Sequence, residues 1–190
     1  MISLLIERIR MKNLSRIGTG ILVFIFLGCP ARSIHPLFSE NDVTLNPALI
    51  GTWSSNDDTY AFTLTSDRTM KTVIRSLTSQ DSAVYTTLAG TIGNQWYLDS
   101  YPYVNSDEHH YLSVHVFTKM TIAGDTLTLA SFNNDWLEKQ ISEKKISVAH
   151  IRRGSEIILT ASTKELQSMI RAVGGKNDAF PNSTNYVRVR

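Results

Sequence analysis

The stretch Asn46-Pro47-Ala48-Leu49-Ile50-Gly51-Thr52-Trp53 divides this 190-residue chain into two kinds of sequence. Before it the residues from Pro30 are polar and punctuated by Pro30, Pro36 and Pro47; after it, apolar and polar side chains alternate as far as Phe132. Glycine at 51 lets the backbone pack closely, and an indole two residues on can plug the end of a sheet that closes on itself. The stretch therefore predicts the floor of a barrel.

Working forward, Ile50–Ser54 and a segment holding Tyr60, Phe62 and Leu64 flank the turn Asn56-Asp57-Asp58 and read as a hairpin. Thr69–Leu77, Ala83–Thr91 and Gln95–Asp99 continue the pattern, with turn residues between them. The cleanest strand is Tyr111–Ile122. Leu112, Val114, Val116, Thr118, Met120 and Ile122 share its core face, and Tyr111, Ser113, His115, Phe117, Lys119 and Thr121 its mixed face. Gly124-Asp125 turns the chain into Thr126–Phe132. Short strands at this spacing predict a mainly β fold, an antiparallel barrel of seven to nine strands, since closure removes exposed edges.

Helical spacing comes late. Asn134-Asp135 are expected to cap a short helix over Trp136–Lys144, in which Leu137 and Ile141 lie four apart. Lys145–Ile151 and Glu156–Thr160 flank Arg153-Gly154-Ser155 as a hairpin. Ser162-Thr163-Lys164-Glu165 has capping-box form and leads Leu166, Met169, Ile170 and Val173, a single apolar stripe that Gly174-Gly175 ends. That helix is expected on the outside of the barrel, and Asn185–Arg190 as a last edge strand with Arg188 and Arg190 outward.

Working backward, Ile21–Leu27 is an apolar run behind basic residues, and the stretch from Ile17 to Gly28 has the length of a signal-peptide core, short for a membrane span. Met11 is a plausible true start. In Phe26-Leu27-Gly28-Cys29 the sequence resembles the lipobox of bacterial lipoproteins, although Phe26 stands where leucine is usual. The resemblance implies that Cys29 becomes a mature N-terminus carrying several acyl chains, palmitate among them, which would hold it permanently on a membrane. An uncleaved apolar anchor is the alternative. The expected organisation is a signal peptide over 1–28, lipidated Cys29 and a spacer over 29–47, and one barrel-like domain over 48–190. Leu37, Phe38, Val43 and Leu45 are spacer residues that could dock on the body. The expected address is the bacterial cell envelope, with the body in the periplasm or outside.

Composition narrows the partners. The formal charge of +2 comes from the leader; beyond residue 28 the chain holds 15 basic and 16 acidic residues. A near-neutral body without a basic stripe argues against nucleic acid. Cys29 is the sole cysteine, so neither an internal disulfide nor a multi-cysteine metal site is available.

Gly51-x-Trp53 at the head of a strand meander, with a helix packed late in the chain, looks like the lipocalin or calycin-like barrels. A wider set, which includes Pro36-Leu37-Phe38, Asn46 to Trp53, Asp135 to Lys139 and Leu159 to Gln167, is similar to uncharacterised bacterial lipoproteins. The helix at Trp136 and the hairpin after it depart from an ordinary lipocalin. What the barrel resemblance implies is a ligand inside, an expectation carried by fold alone.

Asp107-Glu108-His109-His110 with His115 is the densest set of metal-ligand types, yet an extended chain puts His109 and His115 roughly 20 Å apart. An exposed hairpin loop is the preferred reading, and no metal or other cofactor is expected. There is no G-x-S-x-G elbow and no phosphate loop, and Asp57-Asp58 falls in a turn. The chain is therefore expected not to be an enzyme and to have no catalytic residues; an enzymatic reading would need His115, Tyr111 and an acid to converge in a cleft. If a pocket exists, its expected lining is Trp53, Phe62, Trp96, Tyr101, Tyr103 and Phe117. The first functional expectation is a membrane-anchored envelope lipoprotein that binds a small apolar or amphipathic ligand in the barrel. The rival is a structural or assembly lipoprotein with a packed core that binds another envelope protein.

Overall fold

The computed structural model describes residues 30–79, 81–103, 113–154 and 156–190. In chain order the strands begin with β1 (Arg32–Ser33), β2 (Gly51–Ser54), β3 (Asp58–Leu64), β4 (Met70–Ser76) and β5 (Ser82–Ile92). Then follow β6 (Gln95–Pro102), β7 (His115–Ala123), β8 (Thr126–Ser131) and helix α1 (Asn134–Ser142). The chain ends with β9 (His150–Arg153), β10 (Glu156–Leu159), helix α2 (Thr163–Val173) and β11 (Thr184–Val189).

Eight of these strands close into an antiparallel barrel. β2 to β8 pair in succession, and β11 lies between β8 and β2. The architecture is consistent with a lipocalin-like barrel. Alternation sets the two faces: on β7, Met120 and Ile122 pack in the barrel interior while Phe117 packs outside it. Leu49, Trp53, Phe62, Met70, Leu98, Leu127, Leu129 and Tyr186 fill the interior with Met120.

A second core lies outside the wall. Phe117, Tyr97 and Ile92 meet Leu166, Met169, Ile170 and Val173, the apolar stripe of α2. The capping box forms as expected: the Ser162 backbone N–H donates to the Glu165 carboxylate at 2.9 Å. At the other end Lys119 Nζ donates to the Gly174 carbonyl at 2.9 Å. Glycine at 174 leaves room for Tyr97, because a Cβ there would stand 2.1 Å from its hydroxyl and the ring would have to shift.

Four expectations are corrected. The stretch read as a spacer belongs to the folded body from Pro30: Leu37, Phe38 and Val43 dock on it as expected, but β1 is also inserted between β7 and β10. β11 is no edge strand. It closes the barrel, and because Tyr186 points inward, Arg188 two residues on also turns to the floor instead of to solvent. α1 starts earlier than expected, since the Asn133 side chain accepts from Trp136 N–H at 2.7 Å and is the cap. Finally, the β9–β10 hairpin stands beside the barrel as a small lobe, with β10 paired parallel to β1, and residues 145–149 form no strand.

Candidate functional site

The six aromatic residues expected to line one pocket are distributed over three places. Trp53, Phe62 and Trp96 pack in the interior. Phe117 is fully buried but on the outer face beneath α2, because it is out of phase with Met120. Tyr101 also faces outward, its ring centroid 4.8 Å from that of His115. Tyr103 is 48% exposed at the strand end, with Lys71 Nζ 5.4 Å from its ring centroid. Cys29, Asp107 to His110 and Tyr111 lie outside the described residues. Among the described residues no group of three metal-ligand side chains gathers.

The interior is nearly full. Between Tyr60, Phe62, Thr72, Leu98, Thr118 and Leu129 a cavity of about 30 Å³ remains, about one water's share of liquid volume. Its polar side is a chain of hydroxyls crossing three strands: Thr72 Oγ1 donates to Thr87 Oγ1 at 2.7 Å, and Ser100 Oγ lies 3.0 Å from Thr87. Nearby, burial pushes the Tyr60 and Tyr186 phenols well above their ordinary value.

The larger space lies outside. A cleft of about 540 Å³ opens between the strap of residues 36–43 and the outer faces of β5, β6 and β7. Asp99, on the outward phase of β6, is 0% exposed; its carboxylate accepts from Leu37 N–H at 2.8 Å and meets His115 Nδ1 at 2.7 Å. One buried acid thus fixes both the strap and the imidazole, and His115 forms part of the cleft wall. The acid that joins His115 is Asp99, and the neighbouring tyrosine is Tyr101.

The strap is held along its length. Thr163 Oγ1 donates to Pro36 O at 2.7 Å, and Gln167 Nε2 donates to Leu37 O and to the Asp42 carboxylate, each at 3.0 Å. The Ser39 hydroxyl, with the Gln167 amide and the Ser39 N–H, holds the Asp42 carboxyl below its ordinary value. Thr44 N–H donates to Ala89 O at 2.8 Å. Gly90 lets the strap lie close: a Cβ there would stand 2.6 Å from Phe38 Cε1 and 2.9 Å from Asp42 O.

Sequence reasoning did not find Asp99 or the strap as site builders. The signal for Asp99 is its position: an acid in mid-strand, in phase with Tyr97 and Tyr101, needs a partner wherever that face is covered. No family model, curated protein or solved structure matches this chain.

Proposed function

We propose that this chain is a lipid-anchored protein of the bacterial envelope that works through its outer wall, as a structural or assembly lipoprotein binding another envelope protein. The observation that carries this reading is the interior cavity of about 30 Å³, against the several hundred typical of small-molecule sites. The same argument weighs against the rival, a carrier with an apolar ligand inside the barrel. The anchor rests on the basic leader, its apolar run and Gly28-Cys29. Support for a protein partner comes from the uncovered wall. Outward residues of β2, β3, β4 and β11 belong to neither buried cluster, and there Val187 and Val189 are 60% and 51% exposed.

The test is mass spectrometry and crosslinking on the full chain made in its native host. The expected result is acyl mass on Cys29, no small molecule held in the barrel interior, and one recurrent crosslinked envelope protein lost on Val187→Asp. A stoichiometric lipid or metabolite released from the barrel on denaturation would overturn the scaffold reading in favour of the carrier. An unmodified Cys29 would overturn the anchor.

A further inference from the structure

We propose that the outer cleft beside the Asp99–His115 pair is a binding site for a neutral, largely apolar molecule carrying a hydroxyl, whose O–H donates to His115 Nε2. The site is separate from the barrel interior and independent of any protein partner on the uncovered wall.

The imidazole supplies the first part of the argument. A carboxylate only accepts hydrogen bonds, so His115 Nδ1 carries the hydrogen given to Asp99 at 2.7 Å, and in the neutral imidazole Nε2 is the lone-pair nitrogen. Nε2 makes no hydrogen bond among the described residues, while every buried side-chain nitrogen or oxygen there has a partner. His115 stands in the cleft wall, and its second nitrogen is unbonded among the described residues. Asp99 fixes the tautomer and Tyr101 packs against the ring, so the acceptor is positioned before anything binds.

The walls supply the rest. Leu88 gives the cleft an apolar floor, Phe38 and Val43 of the strap an apolar roof, and Tyr101 an aromatic side. Its volume of about 540 Å³ is within the usual range for small-molecule sites. Arg68 and Glu40, of opposite sign, both contribute to the lining, and Arg68 Nη1 donates to the Glu40 backbone carbonyl at 2.8 Å. With one side chain of each sign in the lining, net charge favours neither an anionic nor a cationic head, which suits a neutral ligand. The four hydrogen bonds from Thr163, Gln167 and Thr44 hold the roof, so binding need not first order it.

The probe is 2-naphthol, compared with 2-methoxynaphthalene, which lacks the donor, and with anionic 2-naphthoate. Each is titrated into the detergent-solubilised full chain, labelled with ¹⁵N-histidine, and followed by NMR and naphthyl fluorescence. The expected result is a saturable shift of the His115 Nε2 resonance with 2-naphthol and binding about tenfold weaker for both comparison compounds, the value of one hydrogen bond. Leu88→Trp, which fills the floor without touching the pair, is expected to abolish binding while the Asp99-bonded Nδ1 proton signal persists. No saturable shift with 2-naphthol, equal binding of the methyl ether, tighter binding of the naphthoate, or binding unaffected by Leu88→Trp would overturn the proposal.

Discussion

The Arg188 guanidinium lies over the Trp53 indole, 4.1 Å from its ring centroid, and so ties the last barrel strand to the first. Its Nη1 donates to Ile50 O at 3.0 Å and its Nη2 to Ala48 O, while the indole N–H donates to Leu49 O at 2.8 Å. Arg188→Lys keeps the charge but loses the planar stack and the forked donors, and is expected to cost about 1–2 kcal/mol. Trp53→Phe is expected to cost more, because it also leaves Leu49 O without its donor. Urea unfolding midpoints check both.

Gly51 belongs to the same floor. Its φ of +130° is a conformation that side chains rarely adopt, and a Cβ would stand 2.9 Å from Arg188 Nη1. Gly51→Ala is expected to destabilise by about 1–3 kcal/mol. In an Arg188→Ala background the contact part of that cost disappears and the backbone part stays, so a double-mutant cycle gives a non-zero coupling.

Gly90→Ala should act at the strap. The added methyl meets the backbone oxygen of Asp42 as well as the Phe38 ring, and backbone cannot swing aside. The expected outcome is a displaced strap, read as faster proteolysis within residues 36–43, at about 1–3 kcal/mol.

Asp99→Asn keeps the shape but offers one acceptor oxygen to two donors, Leu37 N–H and His115 Nδ1–H. A loss of about 2–4 kcal/mol is expected. Hydrogen exchange at Leu37, whose buried N–H is bonded to Asp99 in the parent, should become faster, whereas amides of the β2–β3 hairpin should change only as far as global stability does.

Alkali should unfold the protein through its buried phenols. Burial raises Tyr97 from an ordinary value of 10.0 to about 12, and also raises Tyr60, Tyr85 and Tyr186. A phenol whose folded value is raised keeps its proton longer in the folded state. Its contribution to stability is complete below pH 10 and, for Tyr97, is lost as pH rises toward about 12. The absorbance titration at ~295 nm should therefore show a late phase that coincides with loss of far-ultraviolet dichroism.

What could be read from the sequence is what is encoded locally. The hairpins from β2 to β8 follow from alternation and turn residues, and α2 from its capping box and apolar stripe. The strap was misread because its polar, proline-bearing composition resembles a linker, and its anchors, Asp99, Ala89, Thr163 and Gln167, are far away in sequence. β1 is two residues long, too short for any pattern, and its pairing with β10 spans the chain. Arg188 was placed outward on charge alone, although its phase with Tyr186 turns it to the floor. The six aromatics expected around one pocket fall in three places for a related reason: aromatic character marks burial but does not say on which side of a wall it falls, and Phe117 is as buried as Trp53.

The seam between β2 and β11 also sets a timetable. Residues 51–54 wait for residues 187–189 before the ring can be joined, and β1 waits for β10. A chain still being made, or still being threaded through a pore, cannot complete its barrel, and removal of the last seven residues takes out a stave. Such end-to-end pairing puts folding in the slow range of milliseconds to seconds, and for that time both ends of the ring stand unpaired.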